Sequence, residues 1–122
     1  MSTTNGFANG GFTIHLTGEP ESAGVLSRGI ISNADGTYSK SLGDQTRRSL
    51  AIIRAALEAL GGRIEHVMRT RMYVTDVSKW EEVARVHGEV FAEIRPATTI
   101  VEVARLIDGD AQIEIEADAV VA

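Results

Sequence analysis

"RPATTIVEVARL", residues 95–106, is the stretch whose reading decides the fold of this chain. Arg95 and Pro96 shut down a preceding helix, because proline lacks the N–H and pushes its neighbour out of the α region. Ile100, Val101, Val103 and Leu106 then run on, interrupted only by Glu102 and Arg105. In a strand over residues 97–106, Thr99, Val101 and Val103 share one face and Ile100, Ala104 and Leu106 the other. Both faces are apolar, and a strand of that kind needs cover on both sides.

The elements around it supply only part of that cover. "SLGDQTRRSLAIIRAALEALGG", residues 41–62, predicts a helix: Ser41 and Asp44 make a capping-box-like start, Leu50, Ile53, Leu57 and Leu60 recur at helical spacing, and Gly61–Gly62 stops it. "HVMRTRMYVTD", residues 66–76, predicts a strand with Val67, Arg69, Arg71 and Tyr73 on one face and Met68, Thr70, Met72 and Val74 on the other. Ser78 with Glu81 predicts the cap of a second helix, with Trp80, Val83, Val90 and Ile94 as its apolar stripe. After the turn "DGD", residues 108–110, "QIEIEADAVV" alternates Ile113, Ile115, Ala117 and Ala119 against Glu114, Glu116 and Asp118. Near the start, "FTIHLTG", residues 12–18, reads as a half-buried strand ended by Gly18, and the small, polar "MSTTNGFANGG" before it reads as loosely held. Residues 19–42 read either as a hairpin, with "NADG" as its turn, or as a long mobile loop.

Two amphipathic helices can cover one face of such a sheet. The second face of the 97–106 strand is therefore expected to be covered by another copy of the chain. The 122 residues fit one domain, 1–122, with 43% hydrophobic and 24% charged residues. A net charge of −5 lacks the electrostatic footprint of a nucleic-acid binder. Absence of cysteine removes disulfides, thiolate nucleophiles and Cys-based metal sites and fits a reducing compartment. With no signal-like segment and no apolar run near the ~20 residues of a membrane span, a cytoplasmic protein without membrane contact is expected.

Taken together, "QTRRSLAIIRAALEALGG", "VMRTRMYVTDVSKWEEVARVHGEVF", "RPATTIVEVARL" and "IEIEADAVV", in this order, resemble the Rid family, also called the YjgF/YER057c/UK114 family. "NGGFTIHLTG" resembles it more weakly, and residues 19–42 are longer than usual, closer to 2-aminomuconate deaminase-like members. The resemblance implies a chorismate-mutase-like α+β fold: a mixed sheet with two helices on one face, three such sheets forming the central barrel of a homotrimer. It also implies small-molecule sites in the clefts between subunits. There the best-known members hydrolyse reactive imines and enamines to ketoacids with no metal or organic cofactor. One departure stands out. Thr98 occupies the place of the arginine that binds the substrate carboxylate in active imine deaminases, and a hydroxyl cannot supply the forked, charged contact of a guanidinium. Arg95 lies three residues upstream, and the often small residue two places after the arginine is Ile100.

Each candidate has a plain structural reading beside its functional one. By the resemblance Glu114 positions or activates water; otherwise it is a solvent-facing acid like Glu116 and Asp118. Thr17 and Gly18 match cleft-lining positions, the glycine allowing close backbone approach, or they are a strand end. Thr98 and Thr99 offer hydroxyls at the cleft mouth or are ordinary strand formers. Arg69 and Arg71 could grip an anion, but more often balance neighbouring acids. His15 shares a face with Thr13 and Thr17 and could reach the cleft, but is more often a satisfied structural histidine; His66 and His87 are assigned no role. No zinc spacing, nucleophile elbow, P-loop or dinucleotide fingerprint occurs. Three readings follow: a Rid-like hydrolase or deaminase of a small imine, enamine or related metabolite, with weak standard activity; a non-catalytic small-ligand-binding or regulatory trimer; and a ribonuclease or translation inhibitor, which the acidic charge disfavours.

Overall fold

The structure is a computed structural model and describes residues 2–8, 12–18, 35 and 37–120. In chain order the elements are β1 (Ser2–Ala8), β2 (Phe12–Gly18), α1 (Leu42–Ala59), β3 (Val67–Val74), α2 (Trp80–Phe91), β4 (Ala97–Glu102) and β5 (Ile113–Val120). The strands form one mixed sheet in the order β1-β2-β5-β3-β4. β1 is antiparallel to β2, β2 parallel to β5, β5 antiparallel to β3, and β3 parallel to β4. The expected α+β architecture is present, with the core between one sheet face and the two helices.

The alternation in β5 sets the sheet's two sides. Ile113, Ile115, Ala117 and Ala119 are buried under the helices, while Glu114, Glu116 and Asp118 stand half-buried on the open face. α1 delivers Leu50, Ile53 and Leu57 to that core. Its start is fixed by Ser41 Oγ, which accepts from Asp44 N–H at 3.1 Å. Buried Gln45 ties it to the segments that precede α1 and β5 by donating to Ser39 O and Asp110 O and accepting from Gln112 N–H at 2.8 Å. The end is a Schellman motif: Gly62 N–H donates to Leu57 O at 2.7 Å and Gly61 N–H to Glu58 O at 3.2 Å, with Gly61 at φ +87°. No other group lies within 4 Å of where a Cβ on Gly61 would sit, so Gly61→Ala tests the backbone alone. It is expected to destabilise by about 1 kcal/mol, with thermal unfolding lowered by a few degrees and activity unchanged.

Five expectations need correction. Within the opening, Ser2–Ala8 is not loose but forms β1, paired with β2 from Ser2↔Gly18 to Ala8↔Phe12, since a ladder needs backbone groups rather than apolar side chains. In β3 the pairing shifts between Val67 and Arg69, a bulge that puts Val67 in the core and leaves Met68 58% exposed. At the second helix Asp76, not Ser78, caps: its carboxylate accepts from Ser78 N–H and from the Ser78 hydroxyl, starting a 3₁₀ turn that runs into α2. The stripe of α2 is Val83, Val86 and Phe91, flanked by half-buried Val90 and Ile94, while Trp80 is 48% exposed. Finally, β4 ends at Glu102 rather than at 106 and is an edge strand, mostly exposed in the single chain. The hairpin or loop expected over residues 19–42 falls largely outside the described residues.

Candidate functional site

α2 and β4 diverge as the chain leaves the helix, and a cavity of about 420 Å³ opens between them. Its walls are apolar, from Met72, Val83, Phe91 and Ile100, with Trp80 among the residues around it. Three polar side chains also line it: His87, Arg95 and Thr98. Arg95 sits here because the helix closes through it. Its N–H donates to Phe91 O at 2.8 Å with φ at 55°, the left-handed region where a non-glycine residue is strained. Its guanidinium Nε donates to Ala92 O, and it forms no ion pair with any described residue.

A chain of hydrogen bonds runs through the floor. His87 Nε2 lies 2.9 Å from Thr70 Oγ1, which lies 3.1 Å from Thr98 Oγ1, which donates to Pro96 O at 3.1 Å. Because the terminal carbonyl can only accept, the direction propagates backwards. Thr70 donates to Thr98, and His87 donates from Nε2 to Thr70. Burial holds the imidazole below its ordinary pKa, so it stays neutral near pH 7. Its ring packs at 4.6 Å from that of Phe91. Thr70 is fully buried, so the arrangement leaves Thr98 as the hydroxyl facing the cavity.

The open face of the sheet carries a different chemistry. Arg71 pairs with Asp118 at 3.1 Å and Glu116 at 3.8 Å, balancing acids as its plain reading expected. The Tyr73 hydroxyl donates to Glu116, and this bond together with burial raises the phenol's pKa. Tyr73, Glu114 and Glu116 share a recess of about 280 Å³ with Val103, Arg105, Leu106 and Ile107. Glu114 has no hydrogen-bond donor among the described residues, and burial, then the charge of Glu116, raises its pKa. Such a carboxyl is available to hold and exchange a proton.

The candidate residues thus divide between the two faces. Thr98 and Ile100 line the cavity under α2, paired with Thr70 and Met72; Thr99, paired with Arg71, lies on the open face with Glu114. Thr17 and Gly18 end β2 at the register of Val120 and Ser2, and only their backbone is described. His87 was missed. A signal existed: Val83, His87 and Phe91 recur every four residues, which puts a polar ring on the buried stripe where it requires a partner. Among the described residues no three of His, Asp and Glu come together as a metal would require.

Comparisons with known proteins bear on this arrangement. The family model described as Endoribonuclease L-PSP matches residues 23–121. A RutC family protein, PH0854, of Pyrococcus horikoshii is 42% identical over 61% of this chain and 58% of its own length. The chain therefore spans less than two thirds of that relative. The 2-iminobutanoate/2-iminopropanoate deaminase of Salmonella typhimurium is 35% identical over 70% of this chain and 68% of its own. Among solved structures, Rv2704 of Mycobacterium tuberculosis, a member of the YjgF/YER057c/UK114 family, superposes with a TM-score of 0.68. It is 46% identical, over 69% of this chain and 71% of that one. The fold and a match across most of the sequence agree: the chain belongs to the Rid (YjgF/YER057c/UK114) family.

Proposed function

We propose that this protein is a Rid-type hydrolase that deaminates a small reactive imine, enamine or related metabolite in clefts between the subunits of a homotrimer. The observation that carries the reading is Glu114, a half-buried carboxyl with a raised pKa in the wall of a recess that it shares with Tyr73, Arg105 and Glu116. In the reaction, Glu114 takes a proton from water as its oxygen adds to the C=N carbon. The proton then passes to nitrogen, giving a carbinolamine; transfer of the carbinolamine's hydroxyl proton to nitrogen, again through Glu114, breaks the C–N bond, and a carbonyl compound and ammonia leave. Thr17, Gly18, Thr98, Thr99 and Ile100 are the proposed binding residues. Thr98 stands where deaminases of 2-imino acids carry arginine, so 2-iminobutanoate is proposed as a poor substrate.

Glu114→Gln provides the test. Ammonia release from imines generated in situ is expected to fall by at least about 100-fold, within the range for loss of a general acid–base. A raised folded pKa means that the native state favours the protonated acid. Its contribution to stability is present below the ordinary glutamate pKa and is lost as pH rises through the folded value. At pH 7 the glutamate is therefore a liability, and Glu114→Gln is expected to unfold at a higher temperature than the natural chain, the gap closing near pH 4. Retained turnover would remove Glu114 from the mechanism. Ligand binding with no turnover of any imine by the natural chain would favour the non-catalytic trimer, a reading that Thr98 also supports.

A further inference from the structure

The cavity under α2 has polar groups that the proposed hydrolysis does not use. Arg95, which forms no ion pair with any described residue, brings a positive charge into its lining from a position where glycine or asparagine would hold the backbone with less strain. What the position gains from arginine is the side chain. The floor presents a hydroxyl, Thr98, backed by the His87–Thr70 chain. Met72, Phe91 and Ile100 line the same cavity. Among the described residues the acceptor at the chain's end is Pro96 O. With His87 in the Nε2–H form that this chain requires, Thr70 donates toward Thr98, and a ligand atom that replaces the carbonyl accepts a hydrogen bond.

We infer that this cavity selects a small monocarboxylate whose anionic end pairs with Arg95, whose apolar body lies against Phe91 and Ile100, and which carries an uncharged acceptor, several bonds from the carboxylate, bound by Thr98. Arg95 is then a specificity-determining residue and His87 a positioning residue acting through Thr70. The volume falls within the ~300–1,000 Å³ of small-molecule sites. The inference deepens the proposed function and rests on it only in sharing Thr98: it names a substrate class without a carboxylate next to the reacting carbon.

Trp80 is the chain's single tryptophan and lines the cavity, so its fluorescence reports occupancy. Three probes separate the two anchors: 4-oxopentanoate, pentanoate without the acceptor, and methyl 4-oxopentanoate without the charge. The natural chain is expected to bind 4-oxopentanoate about 5- to 10-fold more tightly than either of the others, the worth of one polar contact. Arg95→Gln should erase the difference between acid and ester, and Thr98→Val the difference between 4-oxopentanoate and pentanoate. His87→Phe should weaken the acceptor preference, and His87→Gln, which keeps a donor, should restore it. That rescue separates positioning from packing. Equal binding of the three probes, or preferences that survive in Arg95→Gln and Thr98→Val, would overturn the inference. The preferences without imine turnover would leave it standing and remove the hydrolase; turnover without them would do the reverse.

Discussion

Thr98→Arg is expected to raise turnover of 2-iminobutanoate by roughly 30- to 1,000-fold over a slow natural chain. The gain corresponds to ~2–4 kcal/mol from a bidentate, charge-assisted pair in a partly closed cleft. The position tolerates the change. Thr98 is exposed at the start of an edge strand, and its hydroxyl bonds Thr70 and Pro96 O without filling a buried space. Arginine there abandons those bonds, leaving Thr70 with His87, and reaches into a cavity of about 420 Å³. Steady-state ammonia release measures the gain, and Thr98→Arg/Glu114→Gln should abolish it. A natural rate equal to that of arginine-bearing relatives would show that Thr98 is no handicap. A folded, trimeric Thr98→Arg that stays inert would point to Ile100, whose side chain occupies the cavity wall, as the next obstacle.

The helices and β5 were legible because their patterns are long and local. Ser41, Gly61 and Gly62 act through backbone groups within a turn or two of themselves, so spacing alone discloses them. The bulge at Met68 was not legible: one inserted residue shifts the parity of Val67 without altering the composition of the strand. The Asp76 cap was ambiguous for a similar reason. Asp76 and Ser78 are both capping residues two apart, and the 3₁₀ turn that selects the first is settled by the geometry into α2. β1 draws its order from its partner strand, a long-range property that a small, polar stretch does not advertise.

The candidate site was legible to different depths. Glu114 and Thr98 stood out by resemblance, and no spacing would have singled them out. The link from His87 through Thr70 to Thr98 joins α2, β3 and β4 and depends on the β3–β4 register. Arg95 was visible as a helix stop; its entry into the cavity lining follows from the left-handed turn it takes. What neither sequence nor single chain brings together is Glu114 and Thr98, which lie on opposite faces of one sheet. Any cleft that uses both must take one of them from a neighbour.

That requirement makes Val101→Asp the most informative change. Val101 lies on the open face of β4, opposite Tyr73, and is 41% exposed in the single chain, as Ile107 nearby is at 88%. The apolar run of residues 95–106 thus remains half uncovered when the chain is alone. In the proposed homotrimer a second copy covers it, and sedimentation or light scattering at micromolar concentration should give about three times 13.1 kDa. An aspartate at 101 would then be an unpaired charge in the interface, at several kcal/mol per copy, repeated in each copy of the ring. The fold itself has no reason to fail, since the same carboxylate in the isolated chain meets water. The expected product is a folded monomer with natural circular dichroism and no turnover, because the cleft loses the residues its neighbour supplies. Val101→Thr, nearly the same shape without the charge, should remain trimeric and active. A natural chain that sediments as a monomer, or a Val101→Asp variant that stays trimeric, would remove the shared cleft from the mechanism and return Glu114 and Thr98 to separate sites.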